Sequence, residues 1–198
     1  MRFYESNVRK FQNKYRVDTI RLQGYDYSQN GFYFVTICTK NREHYFGKIV
    51  TTKMVLAKIG QIARRELLKT EKIRKNVELD KWIIMPNHIH VIIVINNDVA
   101  TVATQCIASL PPLPQLSIPL LKTNKFGPQS NNLASIIRGF KMAVQNYATI
   151  NKIDFTWQRR YYDHIIRNEK SLNRIREYIR NNPKNWHKDR NNLGDLYM

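Results

Sequence analysis

The spacing of apolar positions changes several times along the first half of the chain, and each change predicts a new element. Residues 32–39, FYFVTICT, are β-branched and aromatic and lie between turn-forming and charged residues, so they predict a strand. From residue 54 to about residue 70, apolar side chains recur at steps of three and four, which is typical of a helix with one buried face. Residues 76–85 and 88–95 again have strand character, and the Pro-Asn pair between them predicts a hairpin.

The second half of the chain repeats this alternation. Helical spacing covers residues 133–147, and Asn131 or Asn132 is a plausible N-cap for that helix. Residues 154–166 predict a strand. Residues 171–182 predict a last helix, which the following proline stops.

The order of these elements predicts the fold class. A β-α-β-β-α-β series followed by a helix is the order of the ferredoxin-like split βαβ fold. We therefore expect an α+β domain with a four-stranded antiparallel sheet and two helices on one face. The other face would be open to a ligand or to the C-terminal helix, and the fold by itself indicates no chemistry.

Three regions lie outside this series. Residues 1–30 are polar and basic and predict an N-terminal arm. Residues 96–131 contain several prolines and keep no regular spacing, so they predict a loop excursion within a domain at 31–186. Residues 187–198 would form a C-terminal tail.

The composition adds a strong positive charge. The 33 Lys and Arg residues exceed the 15 Asp and Glu residues, which gives a net charge of +18, and the pI is about 10.1. Such a surface attracts polyanions, above all nucleic acid, although a basic surface without a partner is the simpler alternative. Two cysteines, no apolar leader and no apolar run of membrane-spanning length favour a cytoplasmic protein, which would be nucleoid-associated if it binds DNA.

His88 and His90 interrupt an otherwise apolar strand, IIMPNHIHVIIVIN at 83–96. Residues two apart on a strand face the same side, so both imidazoles project together and can share a divalent cation. Two polar side chains satisfied by hydrogen bonds are the ordinary alternative. Two histidines do not complete a coordination sphere, so a third ligand must come from elsewhere in the chain. The candidates are Asp163, His164, Asn181, Asn182 and the acids near the strands, while His44 and His187 stay unassigned.

The last predicted helix carries polar side chains beside its apolar stripe. Tyr178 and Asn182 are four residues apart and therefore lie one turn above the other, with Arg174 one turn before them. A phenol and a carboxamide side by side near a metal ion could attack and orient a phosphodiester. In isolation, a boundary aromatic with a solvated hydroxyl is the better interpretation of Tyr178, and Asn182 is equally a turn residue before the proline.

Three motifs taken together resemble one family. The segments MPNHIHVIIVI, FK at 140–141 and WQRRYYDHIIRNEKSLNRIREYIRNNP resemble the HUH-type single-tyrosine transposases (insertion sequence 200-like), and most closely the REP-associated tyrosine transposases. The resemblance covers about residues 24 to 186. It implies the same split βαβ sheet and a C-terminal helix that carries the catalytic tyrosine.

The resemblance also implies roles for single residues. His88 and His90 match the paired metal ligands, Tyr178 matches the nucleophile, and Asn182 matches the third ligand. An asparagine stands where the smaller transposases have glutamine, which favours the REP-associated branch. On the residues alone the neighbouring Tyr161 and Tyr162 are rival nucleophiles, and only the match to Tyr-Ile-x-x-Asn-Pro favours Tyr178.

The implied activity is that of a metal-dependent single-stranded DNA endonuclease and strand transferase. It would use Mg²⁺ or Mn²⁺, with Zn²⁺ still open, and a 5′-phosphotyrosine intermediate. The substrate would be single-stranded DNA folded as a hairpin, with Tyr25 and Tyr27 as candidate stacking platforms, and a monomer is favoured over a dimer. The candidate phosphate contacts are Arg9, Lys10, Lys14, Arg16, Arg21, Arg159, Arg160, Arg167, Arg174, Arg176 and Arg180.

Two other functions fit part of the pattern. A single-stranded nucleic-acid-binding module with a lapsed nuclease site would share the fold and the charge, but the aromatic RNA-binding motif of such modules is missing from the sequence. A small metallohydrolase with another substrate would not need the charge of +18.

Overall fold

The predicted alternation of strands and helices is present in a computed structural model of the chain, which describes residues 21–22, 24–98, 131–189 and 191–192. Within these residues there are six strands and three helices. They are β1 (Gly31–Cys38), β2 (Gly47–Val50), β3 (Lys53–Leu56), α1 (Lys58–Ile73), β4 (Val77–Ile84), β5 (His88–Ile95), α2 (Leu133–Ile150), β6 (Tyr162–Ile166) and α3 (Glu169–Asn181).

Four of the strands form one antiparallel sheet in the order β4-β5-β1-β6, and β2 and β3 form a separate hairpin. Both central strands, β1 and β5, are buried along their whole length. Strands covered on both faces favour continuous apolar runs over alternation, which is the pattern of FYFVTIC and IHVIIVI. The expected α+β fold, a ferredoxin-like split βαβ, is confirmed.

The two faces of the sheet carry separate cores. On one face, α1 and α2 pack against side chains such as Val35 and Val91. On the other face, Leu172 and Ile179 of α3 pack against β1 and β5 and are almost fully buried. Burial of each of these two side chains contributes roughly 1.5–3 kcal/mol to the stability of this layer.

The structure selects Asn132 as the N-cap of α2. Its side chain accepts a hydrogen bond from the backbone N–H of Ser135, and the Ser135 hydroxyl accepts one from the backbone N–H of Asn132, which is a reciprocal capping box. Asn131 lies before the helix with φ of 58°, in the left-handed region that asparagine and glycine tolerate best.

Two predicted boundaries were wrong. The helix expected from residue 54 begins at Lys58, because residues 47–56 form the β2–β3 hairpin and their apolar side chains alternate with a period of two. The strand expected over 154–166 covers only 162–166. Phe155 and Trp157 alternate with exposed residues as strand residues do, but their segment makes only an isolated bridge from Trp157 to Thr39 before Arg160 turns with φ of 66°.

Most of the predicted N-terminal arm at 1–30 and of the excursion at 96–131 lies outside the described residues, as does the end of the tail at 187–198. No helix within the described ranges combines the length and the apolar character that crossing a bilayer requires.

Replacing Asn132 with Ala should lower the free energy of unfolding by about 1 kcal/mol, because the cap of α2 is lost. Urea denaturation followed by circular dichroism measures the change. Asn131→Gly is the matched control and should leave stability within a few tenths of a kcal/mol, since its backbone conformation suits glycine. Equal losses in both variants would contradict the assignment of the cap.

Candidate functional site

His88 and His90 lie on the face of β5 that α3 covers. Directly paired residues of an antiparallel sheet share a face, and the register pairs His88 with Cys38 and His90 with Thr36. The two imidazole centroids are 4.5 Å apart, and the residues are 0% and 2% exposed. Two imidazoles at this depth would weaken an apolar core, so their burial requires polar partners.

Asn87 fixes the orientation of His88. The Asn87 side-chain amide donates to the backbone carbonyls of Arg42 and Asn191, at 2.9 and 2.7 Å, which leaves its Oδ1 as the acceptor for His88 Nδ1 at 2.9 Å. His88 Nδ1 is therefore the protonated nitrogen, and Nε2 carries the lone pair. Such an outer hydrogen bond is the usual way in which proteins orient a metal-binding histidine.

His90 has a similar arrangement. Its Nδ1 lies 2.9 Å from the hydroxyl oxygen of Thr36, and its Nε2 lies 3.2 Å from the hydroxyl oxygen of Tyr178 on α3. Tyr178 is 45% exposed, so the phenol that contacts the buried imidazole is also accessible from solvent. The Phe34 ring packs against both His90 and Tyr178, with centroids 5.3 and 6.2 Å away.

The chain after α3 adds an acid to the histidine pair. Asp189 Oδ2 lies 3.9 Å from His88 Nε2, and its side chain is only 3% exposed. The side-chain amide of Asn182 donates to the same Oδ2 at 2.9 Å, and the backbone N–H of Asn191 donates to Oδ1 at 2.7 Å. Trp186 packs beside His88, with ring centroids 6.0 Å apart.

The donor atoms of this group suit a divalent cation. The donor atoms of His88, His90 and Asp189 all lie within 4.8 Å of one another, near the span of about 4 Å that opposite donors on one ion have. Asn182 Oδ1 is buried and has no hydrogen-bond partner among the described residues. A buried oxygen without a donor is costly, and a cation would satisfy it. Two imidazoles with two oxygens form a mixed donor set.

The rival tyrosines lie in different surroundings. Tyr161 packs against the core beneath α1 and α2, and its hydroxyl accepts a hydrogen bond from Arg21 at 2.8 Å. Burial raises the pKa of the Tyr161 phenol to about 12. Tyr162 pairs with Thr36, on the same sheet face as His90, and is 43% exposed, with the Phe34 ring 6.4 Å away. Among the three, Tyr178 is the one with a hydrogen bond to a histidine of the pair.

The basic residues expected at a DNA surface divide into three groups. Arg159, Arg160, Arg167, Arg174 and Arg180 are exposed in and around β6 and α3. Arg21 stacks on Tyr161, and Arg176 forms a bidentate ion pair with Asp80 that ties α3 to β4. Arg9, Lys10, Lys14 and Arg16 lie outside the described residues.

Tyr25 and Tyr27, the candidate stacking platforms, pack instead around Tyr33, with ring centroids 5.0 to 6.4 Å apart. Of the other candidate third ligands, Asp163 and His164 lie on β6 and line a separate cleft.

Sequence reasoning missed Asp189, Asn87 and Thr36. Asp189 is an acid within a basic tail, and only its buried position beside His88 distinguishes it. Asn87 follows Pro86 in the turn before β5, and asparagine is common in turns, so nothing in the sequence indicates its contact with His88. Threonine is common in strands, so only the β1–β5 register shows that Thr36 lies against His90.

A curated relative from Haemophilus influenzae, described as an uncharacterized protein, is 40% identical over 175 residues, which is 86% of this chain and 90% of the relative. The two proteins belong to one family. No protein-family model matches the chain.

The fold also has a counterpart among solved structures. A REP-associated tyrosine transposase bound to a REP hairpin superposes with a TM-score of 0.53 at 19% identity, over 86% of this chain and 74% of that one. A candidate transposase from Deinococcus radiodurans superposes with a TM-score of 0.38 at 14% identity, over 82% of this chain and 97% of that one. The resemblance read from the motifs is thus confirmed in the fold, with a REP-associated tyrosine transposase as structural neighbour.

Addition of Mn²⁺ at about 100 times its dissociation constant should raise the melting temperature by roughly 5 to 10 °C, because a ligand that binds only the folded state stabilises it. Differential scanning fluorimetry measures the shift. Asp189→Asn should reduce the shift strongly by removing the negative donor, whereas Asp154→Asn, at an exposed acid elsewhere, should keep it. A wild-type protein with no shift would exclude the metal site, and an undiminished shift in Asp189→Asn would exclude that ligand.

Proposed function

We propose that this protein is a DNA-processing transposase: a metal-dependent endonuclease and strand transferase that acts on single-stranded, hairpin-forming DNA. The observation that carries the proposal is the hydrogen bond of 3.2 Å between the Tyr178 hydroxyl and His90 Nε2. It joins an accessible phenol to a pair of buried histidines within the fold of a REP-associated tyrosine transposase.

Tyr178 would be the nucleophile. With Nδ1 of His90 donating to Thr36, Nε2 accepts the hydrogen bond of the phenol and holds its oxygen beside the donor group. The single lone pair of His90 Nε2 can either accept the hydrogen bond of the phenol or bind a metal ion. His90 therefore holds the phenol only while its Nε2 is not a metal ligand. The exposed part of the ring leaves the oxygen open to a phosphate from solvent.

The reaction would be a transesterification. The Tyr178 oxygen loses its proton and forms a bond to the scissile phosphorus, while the bond from phosphorus to the 3′-oxygen breaks. That 3′-oxygen takes up a proton, which leaves a 5′-phosphotyrosine and a free 3′-hydroxyl. The covalent link keeps the phosphodiester energy, so rejoining would need no nucleotide cofactor.

His88, His90 and Asn182 would hold the ion, and Asp189 is a further ligand suggested by its position beside His88. A bound Mg²⁺ or Mn²⁺ would supply Lewis-acid polarisation of the scissile phosphate. Mn²⁺ accepts nitrogen ligands more readily than Mg²⁺ does, so we expect stronger activity with Mn²⁺.

The charge supports DNA as the substrate. A net charge of +18 favours a polyanion, and exposed arginines lie directly after β6, at Arg167, and on the helix that carries Tyr178, at Arg174 and Arg180. The structural neighbour is bound to a REP hairpin, which supports a hairpin as the recognised form. The proposed site is that of a monomer, in which Tyr178 and the histidines of one chain act together.

Tyr178→Phe should abolish the covalent adduct, because the attacking oxygen is removed, while DNA binding changes little. The assay incubates the protein and Mn²⁺ with labelled hairpin DNA that carries single-stranded arms, then resolves protein-linked label on a denaturing gel. Tyr161→Phe and Tyr162→Phe are the controls and should keep the adduct. An adduct that survives in Tyr178→Phe and disappears in a control variant would show that another tyrosine attacks. DNA binding by the wild type with no adduct would favour a binding module with a lapsed nuclease site.

His88→Ala should lower the cleavage rate at least tenfold, since loss of a metal ligand or of its support costs about 10- to 100-fold. Binding of the same DNA, measured by fluorescence anisotropy, should fall much less. His187→Ala is the matched control because this histidine is exposed and contacts no member of the donor group through any described hydrogen bond. An unchanged cleavage rate in His88→Ala would remove the metal role from this residue.

A further inference from the structure

Two tyrosines are exposed on the side of the sheet that carries the histidine pair. Among the described residues with large, exposed apolar side chains, Tyr162 and Tyr178 are the two aromatic ones, at 43% and 45% exposure. The Tyr178 hydroxyl is bonded to His90, whereas the Tyr162 hydroxyl makes no hydrogen bond to any described residue. Single exposed apolar side chains are ordinary, but neighbouring ones form a patch that often marks an interaction site.

Both phenols lie against the same ring. The Phe34 centroid is 6.4 Å from that of Tyr162 and 6.2 Å from that of Tyr178, and the rings meet edge to face in both pairs. An edge-to-face contact uses at most one face of the Tyr162 ring, so Phe34 leaves the other face uncovered. Tyr162 therefore offers a flat apolar surface beside the candidate nucleophile.

The strand register places Tyr162 on the side of the histidines. Tyr162 pairs with Thr36 of β1, whose hydroxyl oxygen lies 2.9 Å from His90 Nδ1. The next residue, Asp163, pairs with Val35 and so faces the core beneath α1 and α2. Because alternate residues of a strand face opposite sides, Tyr162 shares its side of the sheet with the histidines and α3.

The backbone before Tyr162 is held in place by α2. Lys141 Nζ donates to the backbone carbonyls of Gln158 and Arg160 at 2.7 and 3.2 Å, across a turn in which Arg160 has φ of 66°. Pairing with β1 resumes after this turn, at Tyr162. The ring is thus attached to backbone that is held on both sides, and a tyrosine side chain has only two χ angles to order when a ligand binds. The Phe-Lys motif at 140–141 therefore has a role in placing this ring.

The ligand that fits an exposed aromatic face is another planar ring. The bases of single-stranded DNA stack on tyrosine in this way, and every base can do so because each has a π-face. A net charge of +18 favours such a polyanion over a protein partner at this surface. The sequence suggested Tyr25 and Tyr27 as stacking platforms, but both pack around Tyr33, whereas Tyr162 has the exposed ring that the role requires.

The stacked base would belong to a nucleotide near the scissile phosphate. Tyr162 and Tyr178 both lie within 6.4 Å of Phe34, measured between ring centroids. A stacked DNA strand advances about 3.4 Å per nucleotide. A strand with one phosphate at Tyr178 would thus bring a base only a few nucleotides away to Tyr162.

We propose that Tyr162 binds one base of the DNA strand by stacking, within a few nucleotides of the phosphate that Tyr178 attacks. Phe34 supports the Tyr162 ring, and the base covers its exposed face. This subsite rests on the proposed function for the identity of the strand, whereas stacking itself requires neither the metal ion nor cleavage.

Stacking is tested with two DNA probes that differ only in their bases. Both are labelled hairpins with single-stranded arms of ten nucleotides, which are thymidines in one probe and abasic nucleotides in the other, so the number of phosphates is equal. Affinities are measured by fluorescence anisotropy in EDTA, where metal-dependent cleavage does not occur. Tyr162→Leu should lower the affinity for the thymidine probe about fivefold or more and that for the abasic probe less than twofold, because only the first has bases to stack.

Two control variants separate the ring from other effects. Tyr162→Phe keeps the ring and should bind both probes within twofold of the wild type. Met142→Ala removes another exposed apolar side chain, on α2 at the opposite face of the sheet, and should also bind both probes as the wild type does. An equal loss on both probes in Tyr162→Leu, or no loss on either, would overturn the stacking role of Tyr162.

The two proposals fail separately. If the Tyr178 adduct forms while Tyr162→Leu binds the thymidine probe as the wild type does, the subsite is wrong and the transposase function stands. If no adduct forms but Tyr162→Leu loses affinity for the thymidine probe alone, the subsite stands and the catalytic proposal fails.

Discussion

The packing of α3 across the second face of the sheet is the constraint on which the site depends. Leu172 and Ile179 bury their side chains against β1 and β5, and the Arg176–Asp80 ion pair fixes the helix to the sheet at β4. Tyr178 lies between these anchors in sequence, and its hydroxyl reaches a histidine 88 positions earlier in the chain. Any shift of this helix by one residue would rotate the phenol by about 100° away from His90.

A buried polar network closes the other side of the site. Asn87, in the turn before β5, contacts His88 and the backbone of Asn191, and Asn191 in turn donates to Asp189. Networks of this kind are costly when incomplete and rigid when satisfied. The chain therefore orients the His88 imidazole before any ligand is present, which is the preorganisation that catalysis by positioning requires.

One flank of α3 extends from the cleft beside β6 to the site of His88 and His90. Arg174, Tyr178 and Asn182 are spaced by four residues, so they follow one another along the helix at one turn each. The first lines the cleft, the second contacts His90, and the third donates to Asp189. A DNA strand bound along this flank would contact Arg174, the Tyr178 nucleophile and the metal donors one after another.

The sequence by itself determined the order of strands and helices and the shared orientation of His88 and His90, because both follow from local periodicity. It also placed Tyr178 and Asn182 one turn apart, since helical spacing is local. It misplaced the start of α1, because the apolar residues at the end of β3 lie directly before the helical pattern. It misplaced the start of β6, because residues 154–158 alternate like a strand but make only an isolated bridge. Only the tertiary structure decided that Asp189 joins the donor group and that Thr36 lies against His90. These contacts join segments distant in the chain, and no local pattern of polar and apolar residues encodes the packing of α3 that brings them together.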